Sequence, residues 1–92
     1  MCPAVLANAT TANIRAGSTS NSITPGVVGG TISGGGLGAA INRVTDDNGT
    51  VSGGLNNRAG DNSGTTTDRL AATVGGGLSN TASGNYATVS GG

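Results

Sequence analysis

A chain of 92 residues can form one small domain at most, and this one carries four arginines, four aspartates and no lysine, glutamate or histidine. The balanced charge leaves no basic patch to follow phosphates and no aromatic residues between the arginines to stack bases, which argues against a nucleic-acid partner. Tyr86 is the only aromatic residue, and 19 glycines raise the entropic cost of folding. Burial within one copy is therefore too small to order the chain. Either the chain is disordered, or repeated backbone hydrogen bonding and packing between chains stabilise it.

The first thirteen residues contain no repeat, so we interpret 1–13 as an N-terminal extension or cap and 14–92 as a repeat domain. Cys2 is the only cysteine, which excludes an intrachain disulfide and leaves either a disulfide between chains or, as the favoured interpretation, an idle thiol. No apolar run approaches the ~20 residues that span a bilayer, so we expect no membrane insertion in this segment. An export signal would lie outside these residues.

A short apolar strand recurs along the rest of the chain, as in TISGG (31–35), TVSGG (50–54), TVGGG (73–77) and TVSGG (88–92). Alignment on the apolar residue places the units near 14, 32, 51, 74 and 89, with spacings of 18, 19, 23 and 15 residues. The aligned residues are Ile14, Ile32, Val51, Val74 and Val89. The shortest spacing indicates a minimal coil of about 15 residues, and the longer units carry insertions.

A second column consists of Asn21, Asn42, Asn57 and Asn80, each followed by a polar residue and then an apolar one. This in-and-out alternation is typical of a strand. When the coils stack, Val51, Val74 and Val89 are expected to form an inner ladder, and the asparagines to hydrogen-bond along the stack. The predicted fold is therefore all-β: a parallel β-roll or β-solenoid of about 15 residues per coil plus insertions.

The insertions fall in different sectors of the unit, as expected for loops that project from a solenoid. One is GLGAAI (36–41), before Asn42, and the other is SGTTTDRL (63–70), after Ala59. The second holds the densest polar cluster on either insertion. Because loops vary at little cost to a scaffold, we predict it to be the contact loop. Its candidate contact residues are Thr65, Thr66, Thr67, Asp68 and Arg69.

Residues that resemble catalytic or cofactor motifs are better explained structurally. GGGLGA (34–39) matches a dinucleotide-binding glycine pattern but lacks the helix that such a site needs, so it predicts a glycine corner. Asp46, Asp47 and Asn48 lack the spacing of a calcium loop and predict a solvated turn. Without histidine, glutamate or lysine, and with no basic partner for Cys2, we expect no enzyme activity, no metal and no cofactor.

The stretch ATVGGGLSNTASGNYATVSGG (72–92) resembles the YadA-like head repeats of trimeric autotransporter adhesins, whose units read N-x-A-x-G-x-x-A-x-A-x-G. The similarity is strongest over 71–92, weaker over 27–62 and absent from the first dozen residues. Two departures are the variable unit length and TVSGG in place of Ala-x-Ala-x-Gly. The resemblance implies a left-handed parallel β-roll that trimerises about its long axis and acts in adhesion; it transfers no binding residues.

Three functional hypotheses follow. The leading one is a structural and adhesive segment of a bacterial surface or secreted trimeric fibre, extracellular or at the cell surface, with itself and a host surface or matrix component as partners. The second is an ice- or surface-binding solenoid that uses the outer row of Thr31, Thr50, Thr73 and Thr88, although only one threonine per coil recurs. The third is a self-assembling filament subunit, because an uncapped solenoid end exposes unpaired strand edges.

Overall fold

The computed structural model describes residues 4–6 and 11–92; Cys2 lies outside the described residues. Over the described part the chain is all-β, with ten short strands and no helix, which confirms the predicted fold class. The strands are β1 (Ala4–Leu6), β2 (Asn13–Arg15), β3 (Ser22–Ile23), β4 (Thr31–Ile32), β5 (Arg43–Val44), β6 (Thr50–Val51), β7 (Arg58–Ala59), β8 (Thr73–Val74), β9 (Thr81–Ala82) and β10 (Thr88–Val89).

Two sheets share these strands alternately. Sheet A has the order β1-β2-β4-β6-β8-β10, and sheet B has the order β3-β5-β7-β9. From β2 onward every pair is parallel, so each turn of the chain adds one strand to each sheet. The result is a parallel β-solenoid of about four turns. Only β1 runs antiparallel, beside β2 at the end of sheet A.

The register stacks like residues above like. On sheet A, Val51 pairs with Val74 and Val74 with Val89. The threonines form the neighbouring row, in the order Thr31, Thr50, Thr73 and Thr88. Because successive side chains of a strand point to opposite faces, this register directs the apolar row inward and the threonine row outward.

The first unit departs from the sequence alignment by one residue. Arg15 pairs with Ile32, whereas Ile14 pairs with Thr31 and is 44% exposed. The physical reason is Asn13, whose buried side chain donates from Nδ2 to the Val27 carbonyl (2.8 Å) and accepts at Oδ1 from the Gly30 amide (2.7 Å). Asn13 thereby takes an inward position, and the next residue must face outward.

The core between the sheets is narrow and filled by small side chains. The fully or almost fully buried apolar residues are Val27, Ile32, Val44, Val51, Ala59, Ala72, Val74 and Ala82. Where sheet B contributes Val44, the residue before β6 is Gly49, and a Cβ added there would lie 2.8 Å from Val44 Cγ1. Where sheet B contributes the smaller Ala59, the corresponding residue before β8 is Ala72. Small residues on one sheet therefore compensate for large residues on the other.

A glycine corner joins sheet A to sheet B in every turn. Gly35 and Gly54 have φ angles of +76° and +84°, in the left-handed region that L side chains rarely adopt. A Cβ added to Gly35 would also collide with the Gly54 carbonyl oxygen of the next coil. Conformation and close stacking thus both require glycine here.

Insertions are accommodated at the corners and leave the strands in register. In the 36–41 insertion, Leu37 and Ala40 bond to each other in both directions, with N···O distances of 3.2 and 2.9 Å, which closes a small turn. None of the described segments forms a helix that is long and apolar enough to cross a bilayer.

The filled core makes a testable distinction between two glycines that both lack a positive φ. Gly49→Ala should lower the free energy of unfolding by about 1–3 kcal/mol, because its methyl group would overlap Val44. Gly53→Ala is the matched control: no atom lies within 4 Å of its added Cβ, so stability should stay level or rise slightly. Chemical denaturation measures both.

In a double-mutant cycle, Gly49→Ala and Val44→Ala together should cost at least about 0.5 kcal/mol less than the sum of their separate losses, because removal of the Val44 methyl groups relieves the overlap. Equal stabilities of the Gly49 and Gly53 variants would contradict the described packing.

Candidate functional site

The asparagine ladder, defined as Asn21, Asn42, Asn57 and Asn80, links successive coils. The Oδ1 of each of the first three members accepts the backbone N–H of the next asparagine: Asn42 N donates to Asn21 (3.0 Å), Asn57 N to Asn42 (3.0 Å) and Asn80 N to Asn57 (2.9 Å). Asn21, Asn42 and Asn57 thus each fix the start of the sheet B strand in the following turn.

The side-chain amides of the ladder also hold the glycine corner. Asn57 Nδ2 donates to the Gly53 carbonyl of its own coil and to the Gly77 carbonyl of the next, both at 2.9 Å. Asn42 Nδ2 does the same with Gly34 (3.0 Å) and Gly54 (2.9 Å). Both N–H donors and the oxygen of each amide are therefore used, as a buried asparagine requires.

The structure separates the five candidate contact residues into two groups. Thr65 and Thr67 are exposed, and their hydroxyl oxygens lie 3.0 Å apart. Thr66 is partly buried, and its carbonyl accepts the Asp47 amide at 2.7 Å, which ties the loop to the preceding coil. Asp68 and Arg69 are also partly buried, and the exposed polar residues of this loop are Asn62, Ser63, Thr65 and Thr67. Thr65 and Thr67 are called the threonine tip.

Asp68 belongs to an acidic cluster that Arg69 contacts, although the Arg69 side chain is 41% exposed. Carboxylate oxygens of Asp46, Asp61 and Asp68 all lie within 4.8 Å of one another. The Arg69 backbone amide donates to Asp46 Oδ2 (3.0 Å), and Arg69 Nε lies 3.5 Å from Asp61 Oδ2. Within the described residues this is the set of carboxylates placed closely enough to hold a metal ion.

The interpretation of residues 46–48 as a solvated turn is wrong for Asp46 and Asp47, which are only 1% and 8% exposed. The loop at 60–71 folds over both of them, and only Asn48 is exposed. Asp47 Oδ1 accepts the Val28 amide at 2.9 Å, and Asp46 Oδ1 accepts the Thr45 hydroxyl at 3.0 Å. The contacting segment lies some twenty residues away, so the local turn pattern carried no sign of this burial.

Burial raises the pKa of Asp46, and the adjacent Asp68 carboxyl raises it further. Hydrogen bonds from Thr45 and the Arg69 amide act in the opposite direction but do not cancel the rise. Asp68 Oδ1 is buried and has no hydrogen-bond partner among the described residues. The raised pKa means that these surroundings favour the protonated, neutral form of Asp46.

A shallow polar pocket lies on the outer face of sheet B. Its volume is about 170 Å³, and its lining includes Arg43 and Arg58 together with Asn56, Ser79 and Thr81. Arg43 and Arg58 are direct register partners on β5 and β7. The balance of four arginines against four aspartates had argued against a basic patch. The sequence could nevertheless have indicated that these two arginines lie side by side, because each of them follows an asparagine of the ladder.

Comparison with known proteins gives this chain no family: no protein-family model, curated protein or solved structure matches it. The resemblance to adhesin head repeats therefore rests on the sequence motif alone. The geometry of the solenoid, the loop and the pocket carries the functional argument.

The ladder should tolerate substitution at its end far better than in its middle. Asn57→Asp replaces the two N–H donors by an oxygen that faces the Gly53 and Gly77 carbonyls, and should cost about 3 kcal/mol or more. Asn80→Asp makes the same change where the side chain is partly exposed, so water can compensate and the loss should be about 1 kcal/mol. Urea denaturation with matched oligomer content measures both; similar losses would contradict the importance of burial in the ladder.

The acidic cluster should make stability depend on pH. Because the pKa of Asp46 is raised, the folded chain binds this proton more tightly than the unfolded chain. The stability that the proton contributes is present at acid pH and is lost as the pH rises through the raised pKa. Asp68→Asn should therefore increase the free energy of unfolding near neutral pH, by about 1 kcal/mol, since its amide can donate to the Asp46 carboxylate.

The gain from Asp68→Asn should shrink below the ordinary carboxyl pKa of about 4, where Asp46 is already protonated. Asp47→Asn is the control, because its Oδ1 still accepts the Val28 amide and it lies outside the cluster. Thermal unfolding across this pH range tests the prediction. A gain that does not vary with pH would show that ionisation of Asp46 does not destabilise the fold.

Proposed function

We propose that this chain is a structural and adhesive segment of a trimeric bacterial surface or secreted fibre, comparable in role to YadA-like adhesin heads. The observation that carries the proposal is a parallel β-solenoid whose insertions emerge only at its corners. Such a scaffold can be extended coil by coil while its loops vary. Stacked strands supply length and stiffness, and loops supply recognition.

Assembly into a trimer is supported by apolar side chains on the surface. Leu55 and Leu78 pair in parallel on adjacent coils, Leu78 is 61% exposed, and Leu37 in the 36–41 insertion is 72% exposed. These three residues, each of which directly follows a glycine, are called the leucine corner. Exposed apolar groups commonly mark contact surfaces, and a second and third copy of the chain would cover them.

Adhesion is assigned to the threonine tip of the 60–71 loop. Thr65 and Thr67 present hydroxyl and methyl groups to solvent. Behind them, the Thr66 carbonyl and the Arg69 amide anchor the loop to Asp47 and Asp46. An anchored loop presents its tip in one conformation, which lowers the entropic cost of binding.

Oligomeric state is the first test. Light scattering should give the mass of three chains of 8.6 kDa each. Leu37→Gln combined with Leu78→Gln should reduce the mass to one chain. Both side chains lie outside the core, but strand content should fall with the mass, because burial within one copy is too small to order the chain. Tyr86→Gln, at an equally exposed residue outside the leucine corner, is the control and should leave the trimer intact. A folded monomer from the parent chain would overturn the trimer, and a mass that grows with concentration would favour the filament.

Surface binding is the second test, and paired threonine variants separate adhesion from ordered-surface binding. Thr65→Ala with Thr67→Ala should abolish attachment to cultured epithelial cells or to matrix-coated surfaces and leave stability unchanged. Thr50→Ala with Thr73→Ala, on the outer row of sheet A, should leave attachment intact. If the outer-row variant instead removes thermal hysteresis in ice while the loop variant has no effect, the protein is an ice-binding solenoid that uses its outer threonine row.

A further inference from the structure

Two of the four arginines lie side by side on the outside of sheet B. Arg43 and Arg58 occupy the same register position on β5 and β7, which places their backbones about 4.8 Å apart. Both side chains point outward, because the next residues, Val44 and Ala59, are fully buried on the inner face.

No carboxylate balances this pair within residues 11–92. The ion pair found there joins Arg69 to Asp61, and the acidic cluster lies at another corner. Arg58 Nε donates to the Gly60 carbonyl (3.1 Å), and Arg43 makes no side-chain hydrogen bond to a described residue. Like charges directly opposite each other on a sheet are destabilising, so this pair lowers the stability of sheet B.

The pocket around the two arginines supplies further polar groups. Asn56 Nδ2 lies 3.1 Å from Ser79 Oγ, and Thr81 continues the outward row beyond Arg58. A volume of about 170 Å³ corresponds to roughly five or six water molecules at ~30 Å³ each. That space accommodates a tetrahedral or planar oxyanion and part of the group that carries it.

We propose that this pocket binds the sulfate or carboxylate group of an acidic saccharide. Guanidinium groups bind such oxyanions through paired, charge-assisted hydrogen bonds, and two in register can hold one oxyanion from two sides. Hydroxyl and amide groups at the rim suit the hydroxyls of a sugar. A nucleic acid is disfavoured because the pocket has no aromatic side chain on which a base could stack. The site uses neither Thr65 nor Thr67, so it stands independently of the proposed loop contact.

The test is calorimetric titration of the intact chain with four probes: a sulfated oligosaccharide, its desulfated counterpart, a carboxylated oligosaccharide and a single-stranded oligonucleotide of equal charge. The sulfated or the carboxylated probe should bind, with an affinity that falls as salt is added. Arg43→Gln should weaken this binding about tenfold or more, as expected for removal of a charge-assisted hydrogen bond. Because Arg43 makes no internal side-chain bond among the described residues, this variant should fold normally, and circular dichroism checks that it does.

Arg15→Gln is the matched control: it removes the same charge from sheet A, where Arg15 contacts the Asn21 carbonyl, and should leave the affinity unchanged. The Arg43→Gln/Arg58→Gln double variant should abolish binding. Equal loss in the Arg15 and Arg43 variants would overturn the site in favour of general charge attraction. Binding of the oligonucleotide as tightly as the saccharides, or no binding of either acidic saccharide, would overturn the assigned ligand.

Discussion

The buried asparagine amide is the interaction on which the rest of the structure depends. A strand of two residues forms too few hydrogen bonds to fix its own register. The small core side chains pack with little shape complementarity, so they do not fix the register either. Asn42 and Asn57 solve this by joining three parts of the molecule at once: the glycine corner of their own coil, the corner of the next coil and the start of the next sheet B strand. Since all of their polar atoms are used, any shift in register would leave buried groups without partners.

Volume is the second constraint, and it explains where the chain can vary. Gly49 beside Val44 and Ala72 near Ala59 keep the distance between the sheets constant while individual side chains change. The filled interior has no room for extra residues, so insertions project outward from the corners of the coil. The 60–71 loop still affects the scaffold, because it returns to cover Asp46 and thereby buries a carboxyl group, which raises its pKa.

Much of the fold could be predicted from sequence because its determinants recur. Repetition of apolar and asparagine positions is enough to indicate stacked parallel coils, and that prediction is confirmed. Ile14 was misplaced by one residue, since the first unit has no earlier coil for comparison and the inward role of Asn13 has no counterpart in later units. The environment of Asp46 and Asp47 depends on a loop that occurs once, so no periodic signal could reveal it. The arginine pair, in contrast, could have been predicted from the sequence. Arg43 and Arg58 each follow an asparagine of the ladder, so stacking of the coils brings them into register on sheet B.

The asparagine ladder also has a direction. In Asn21, Asn42 and Asn57 the side-chain Oδ1 accepts from the coil that follows, so each of these residues positions the next coil and not the previous one. Loss of one Oδ1 therefore removes a contact from the following coil, while the backbone N–H of the altered residue can still donate to the asparagine before it. A local defect should accordingly loosen the stack on one side more than on the other, and amide hydrogens of the following coil should exchange with solvent faster than those of the preceding one.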